Sequence, residues 1–254
     1  EPKSTRPKTQ PHETPIRIKE RIIELRKKTN LCAKKIRWKL EKEQIAISKN
    51  AIHKIIKNEG LTRKYRVRKL TYKYIKVPLK QGELVEIDVK YVPSLVRGAR
   101  YYQFTAIDCA SRWRYLKIYN NYSNADTIDF LETLMKIAPF RIRAIKTDNG
   151  SNFTNRYTGY LKSTDPLNPR LHELDLLCQK HNIIHYLIDP GKPAQNGKVE
   201  RSHRTDQEMF YDRNTFKNFE DLQQKISTWN AEYNNLEHCS LDGKTPNEAV
   251  KLFT

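Results

Sequence analysis

The chain has 254 residues, with 48 Lys+Arg against 29 Asp+Glu and a formal net charge of +19. That length allows one sizeable core plus a small extra domain. The charge points to a polyanion, and nucleic acid comes before a membrane surface, because no apolar run is long enough to span a bilayer and no signal peptide is visible. The excess sits at one end: residues 1–80 hold 25 Lys+Arg and 7 Asp+Glu, the remainder 23 and 22. Cys32, Cys109, Cys178 and Cys239 form no CxxC pair, which favours reduced thiols in an intracellular protein over a disulfide framework. The sequence opens on Glu1 rather than Met, as a processed chain or one lacking an N-terminal piece does.

Residues 1–15, rich in Pro, Thr, Lys and Arg, read as a flexible basic arm. Helical spacing begins at Ile16 with Ile18, Ile22, Ile23 and Leu25, and a second helix fits Leu31 to Lys42, with Ile36 and Leu40 inward. A third follows an N-cap at Ser48, buries Ile52, Ile55 and Ile56, and stops at Gly60. Three short helices over residues 16–60 predict a helix-turn-helix that reads DNA, with Lys49, Asn50, His53, Lys54 and Lys57 outward on the third. Residues 61–82 hold eight basic residues and no acid. With Arg63, Lys64, Arg66, Arg68 and Lys69, and with tyrosines between them, this reads as a linker that tracks a phosphate backbone.

The period changes at Glu83. "ELVEIDVKYV" alternates, with Val85, Ile87 and Val89 on one face and Glu86, Asp88 and Lys90 on the other. "RYYQFTAIDCAS" and "WRYLKIYN" follow as strands after short connections, which predicts antiparallel neighbours. Next come a helix ("NADTIDFLETLMKIA"), a strand ending at Asp148-Asn149-Gly150, a helix ("LHELDLLCQKHN"), a strand ("IIHYLID") and a helix that begins near Glu200. The order predicts an α/β domain with a mixed sheet over residues 83–215. Residues 216–254 read as a helical extension.

Asp88 lies mid-strand, Asp148 at a strand's C-terminal end and Glu200 at the start of a helix flanked by Lys198, Arg201 and Arg204. Sites assemble at such strand ends, and hard oxygen ligands on three separate elements suit Mg²⁺ or Mn²⁺. Acids near strands are common here, Glu86 and Asp189 among them. Asp108, in "AIDCASR", reads as structural, because Asp-x-x-Ser-Arg can tie a strand end to its own turn. His172, Cys178, His181 and His185 match no common zinc spacing and read as ordinary packing.

The segments "VEIDVKYV", "TAIDCASRWRY", "IKTDNGSNF" and "PGKPAQNGKVERSHRT" together resemble the catalytic core of the DDE transposase and retroviral integrase superfamily. The tail "WNAEYNNLEHCSLDGKTPNEAV" is similar to that of bacterial insertion-sequence transposases of the IS481 and IS3 groups. The resemblance implies an RNase H-like core with a mixed five-stranded sheet. It makes Asp88, Asp148 and Glu200 the metal-binding catalytic acids, with two Mg²⁺ or Mn²⁺ ions, and turns the basic neighbours Lys198, Arg201 and Arg204 toward DNA. It further implies binding to terminal inverted repeats and target DNA, end cleavage, strand transfer, a homodimer or larger assembly, and a place in the bacterial cytoplasm at the nucleoid. Two departures stand out. An insertion at about residues 156–172 lengthens the interval from Asp148 to Glu200, and Gln207 stands where the family often has a basic residue. The alternatives are an inactive or domesticated DNA-binding relative and a structure-specific nuclease of the same fold.

Overall fold

A computed structural model describes residues 13–62, 79–157, 162–165 and 170–252. The chain divides into two compact units, residues 1–73 and 74–254. None of its helices, among the described residues, is long and apolar enough to cross a membrane.

The first unit is three helices: α1 (Ile16–Thr29), α2 (Ala33–Lys42) and α3 (Lys49–Asn58). Ile22, Leu25, Leu31, Ile36, Leu40, Ile52 and Ile56 form its buried centre, one apolar stripe from each helix. The ends are set locally. Asn30 adopts the left-handed conformation (φ 54°) and closes α1 by donating its N–H to Arg26 O. The buried Arg26 guanidinium donates to the carbonyls of Asn30, Leu31 and Leu61, so it fastens the exit of α1 to the exit of the unit. Ser48 caps α3 by accepting from the Ala51 amide at 3.1 Å.

The second unit is built on a five-stranded mixed sheet in the order β3-β2-β1-β4-β5. Its strands are β1 (Val85–Tyr91), β2 (Tyr102–Asp108), β3 (Arg114–Tyr119), β4 (Ala144–Thr147) and β5 (Ile184–Leu187). The first three pair antiparallel through short turns, while β4 and β5 run parallel to β1. Parallel neighbours need a crossover, supplied by α4 (Asn124–Ile137) and α5 (Glu173–Lys180). These two helices cover one face, burying Val85, Ile87, Phe104, Phe130, Leu131, Leu134, Ile145, Leu174 and Leu177. On the other face lie α6 (Gly197–Met209) and α7 (Phe219–Asn234), with α6 against β1 and β2 and α7 against β3. Val199, Leu222, Ile226 and Trp229 pack there on Ile107, Leu116 and Ile118. Thus α7, which the sequence alone puts in a C-terminal extension, forms half of the layer over this face. The chain ends in the short α8 (Pro246–Lys251), capped by Thr245.

Candidate active site

Strand register brings the first two acids together. Glu86 pairs with Lys146 across the parallel β1/β4 ladder. Two residues further along each strand are Asp88 and Asp148, on the same side of the sheet by the two-residue side-chain period. Asp148 is held just past the end of β4. Its Oδ1 accepts from the Gly150 amide at 2.9 Å, and Asn149 Nδ2 donates to Ile188 O beyond β5. A side chain at Gly150 would force a neighbour to shift, since a Cβ built there falls 2.7 Å from Asn152 Oδ1 and 3.0 Å from Asp148 Oδ1. Beneath the turn, the buried Thr147 hydroxyl bonds His185, whose other ring nitrogen bonds Asp175 on α5 at 2.7 Å.

Glu200 arrives on the first turns of α6, exposed, from the face that Asp88 points toward. Three clamps fix α6 on β1. Asn196 Nδ2 donates to Ile87 O at 3.2 Å, Glu86 Oε2 accepts from the Lys198 and Val199 amides at 2.7 and 3.0 Å, and Lys90 Nζ donates to His203 O at 3.2 Å. His203, one turn beyond Glu200, puts Nδ1 3.4 Å from Asp88 Oδ2. Burial, and then the nearby Lys90, hold the His203 ring down to about 3, so it meets Asp88 as a neutral ring.

Asp88 feels the other two acids. Burial pushes Asp88 up to about 7, helped by the charge of Asp148 and then of Glu200. Glu200 is also raised, by burial first and then by the charge of Glu86. A divalent cation among these oxygens would offset both effects, and carboxylates from three elements are the donor set that Mg²⁺ and Mn²⁺ take. The residues therefore fit such an ion, although the side chains as they stand are not drawn into a ligating cluster. Among the described residues no three His, Cys, Asp or Glu side chains are gathered closely enough to hold one.

The remaining sequence candidates fall into groups. Lys49, Asn50, His53, Lys54 and Lys57 are all exposed on α3. Arg63, Lys64, Arg66, Arg68 and Lys69 lie outside the described residues, as do 158–161 and 166–169 of the insertion. Lys198 does not precede the last core helix, as the sequence reading has it. It is the second residue of α6, because Glu86 accepts from its amide and draws Gly197 and Lys198 into the first turn. Arg201 is exposed, and Arg204 is exposed with Nε 3.0 Å from Glu208, not from Glu200. Gln207 bonds Asp212.

Asp108 does what its turn motif predicts. It accepts from the Ala110 and Ser111 amides and the Ser111 hydroxyl, and from the Gly82 amide across the sheet end. His172 caps α5 through the Leu174 amide and bonds Asn124, so it serves packing. Sequence reasoning passed over Glu86, Asn196 and His203. It also passed over a buried cluster one turn further along α6, where Asp206 meets Arg114 Nη1 at 2.5 Å, Gln103 at 2.8 Å and Trp229 Nε1 at 2.7 Å. Only the face assignment of β1 carried any sign of these contacts.

The chain is similar to known proteins. Residues 78–193 match the family described as Integrase core domain, and residues 181–246 match a second family of the same description. The chain is 27% identical over 190 residues to "Putative integrase ORF3" of Spiroplasma virus SpV1-C74, covering 72% of this chain and 51% of that protein. It is 29% identical over 104 residues to the insertion element IS476 39.2 kDa protein of Xanthomonas euvesicatoria, covering 41% and 25%. The chain thus spans about half the length of the first of these relatives and a quarter of the second. In fold it is similar to a chain of the simian T-cell lymphotropic virus intasome in complex with PP2A regulatory subunit B56 gamma, at a TM-score of 0.54 and 15% identity, covering 90% of this chain and 74% of that one. The IS476 match is consistent with the insertion-sequence groups suggested by the tail. With integrase-core matches running from residue 78 to 246 and Asp88, Asp148 and Glu200 brought to one side of an RNase H-like sheet, the chain belongs to the DDE transposase and integrase superfamily.

Proposed function

We propose that the protein is a DNA transposase. It binds the terminal inverted repeats of an insertion sequence, cleaves the element's ends by hydrolysis and joins the freed 3′-hydroxyl to target DNA. The observation that carries this reading is the strand register that sets Asp88 beside Asp148, where burial and then the charges of Asp148 and Glu200 raise the Asp88 carboxyl. A chain spends stability to keep a buried carboxylate near two others only where a cation or a reacting phosphate repays it. Mg²⁺ or Mn²⁺, as two ions held by these three residues, would activate the attacking oxygen and stabilise the leaving one.

The chain's own residues do the rest. Asp88 and Asp148 are fixed on adjacent strands, so the site is organised before DNA arrives. Exposed Arg201 and Arg204 and the half-buried Lys198 lie on the same helix as Glu200 and are suited to phosphate oxygens. On α3, Asn50 and His53 stand exposed at its N-terminal end, the part of a recognition helix that reaches base edges. Two ends must be brought together, so the working form is a homodimer or a larger assembly.

The test uses the full chain on duplexes that carry the flanking repeats. Asp88→Asn, Asp148→Asn and Glu200→Gln are each expected to lower Mg²⁺-dependent cleavage by more than about a hundredfold while end binding stays near the unmodified level. Cleavage retained in any one of them removes that residue from the site. End binding without cleavage by the unmodified chain would favour a DNA-holding relative, and cleavage without joining a structure-specific nuclease.

A further inference from the structure

Glu86 lies two residues before Asp88 on β1, and only 1% of it is exposed. A carboxylate buried that deeply needs partners for its oxygens. Glu86 finds them on or beside both of the other elements that carry an acid of the site. Its Oε2 accepts from the Lys198 and Val199 amides, in the first turn of α6, directly before Glu200. Its Oε1 lies 3.1 Å from Lys146 Nζ on β4, two residues before Asp148, and also accepts from the Cys109 thiol. The third element is its own strand.

We propose that Glu86 is a positioning residue that locks the frame of the three acids. It would hold the start of α6 against β1 so that Glu200 stands at a fixed height above Asp88 and Asp148. The proposal rests on reading the three acids as a metal site. Two features favour a positioning role over simple satisfaction of buried groups. The first turn of a helix leaves amides without partners in the helix itself, and α6 takes two of its partners from β1 although it begins at an otherwise exposed loop, residues 189–195. Using a buried carboxylate there instead brings a desolvation cost, and it ties the turn that carries Glu200 to the strand that carries Asp88 and, through Lys146, to the strand that leads to Asp148. Lys146 and Lys198 Nζ, the latter 3.8 Å away, balance the charge without reaching the amide clamp. Asn196 and Lys90 bind α6 to β1 on either side of this point, but neither touches β4.

The test compares Glu86→Ala, Glu86→Gln and Glu200→Gln in the full chain. It reads Mn²⁺ affinity without DNA, hydrogen-exchange protection of the Lys198 and Val199 amides, and the Mg²⁺ concentration for half-maximal cleavage. Removing an outer partner of a metal ligand typically costs about ten- to a hundredfold in metal affinity, and that loss is expected for Glu86→Ala, together with lost protection of the two amides. Glu86→Gln keeps an oxygen for the amides and is expected to stay within a few-fold of the unmodified chain in both measurements. It also serves if the alanine variant fails to fold. Unmodified Mn²⁺ affinity in Glu86→Ala overturns the proposal, and so does a Glu86→Gln variant as weak as Glu200→Gln. An unmodified chain that holds no Mn²⁺, with Glu200→Gln still cleaving, overturns the reading of the acids and the proposal with it.

Discussion

Glu200 and Asp206 stand six residues apart on α6, and the fold treats them in opposite ways. Asp206 is fully buried and its oxygens are filled by Arg114, Gln103 and Trp229. Burial alone would raise it, but the Arg114 guanidinium and Lys90 outweigh burial and hold it below the usual carboxylate range. Glu200, although largely exposed, is raised, by its partial burial first and then by the charge of Glu86. Asp88, beneath it, is raised to about 7, by burial first. Both regions lie under one helix and draw on the same residue types. Asp206 is surrounded by donors, while Asp88 and Glu200 are not, which on the proposed reading leaves them for a cation to neutralise.

The widest separation between the two regions should appear in stability. Asp206→Asn leaves Arg114 buried without its counter-charge, and breaking such a pair typically costs about 3–5 kcal/mol. Asp88→Asn is expected to act in the opposite direction in metal-free solution. The folded chain holds the Asp88 proton up to about pH 7, well above the usual value. The penalty is therefore absent at pH 3, grows as pH rises through 4 to 7, and is then constant. Relief by asparagine should reach at most about 4 kcal/mol at pH 8 and vanish near pH 3. Urea melts in EDTA at both pH values check this. Two losses of the same size at pH 8 would erase the distinction between the regions. Asp206 has the other sign, because its pKa is lowered. Its contribution is present above the ordinary carboxylate range and is lost as pH falls through its folded value, so Asp206→Asn should flatten the acid limb of the stability curve.

These contrasts also mark how far the sequence could be read. The alternation of "ELVEIDVKYV" assigns Glu86, Asp88 and Lys90 to one face, and the structure sets α6 on that face. The candidate acids stood out because each sits in a short local pattern: mid-strand, before Asn-Gly, and past a glycine on a basic helix. Ser48 and Asp108 were legible for the same reason, since both bond amides two or three residues away. Glu86 was not. Its partners are amides 112 and 113 residues along the chain, and a backbone donor leaves no mark on residue type. Asp206 was hidden similarly in a charged helical run, with Arg114 92 residues away on a strand. The seat of α7 on β3 depends on which sheet edge is open, which periodicity does not encode.

A smaller effect is expected at Gly150. Alanine there must displace either Asn152 or the Asp148 carboxylate. Asp148 accepts from the residue 150 amide, so the two move together. Displacing a reacting group by about 1 Å can cost about a hundredfold in rate, and Gly150→Ala is expected to approach that loss in cleavage while the melting temperature shifts by only a few degrees. Full activity in this variant would mean that Asn152 yields instead and that Asp148 needs no such support.

The smallest effect on stability, and the finest test of the comparison, belongs to Arg204. It sits between the two acids on α6 and is exposed, with its Nε 3.0 Å from Glu208. If it belongs with Asp206, as one more structural pair, its loss should register in the fold. An exposed pair at this spacing is worth well under about 1 kcal/mol, so Arg204→Ala should leave the melting temperature within about a degree or two. If it belongs with Glu200, it has work to do only when DNA is present. The guanidinium would leave Glu208 and take a phosphate in two hydrogen bonds, a trade its fork geometry allows. Strand transfer should then slow several-fold, and raising the salt should cost the variant less than it costs the unmodified chain, because one fewer counterion is released. Arg204→Lys separates charge from geometry: it should restore the salt dependence but only part of the rate. Unchanged transfer and unchanged salt dependence in Arg204→Ala would assign the residue to Glu208 alone and end the functional half of the helix at Glu200.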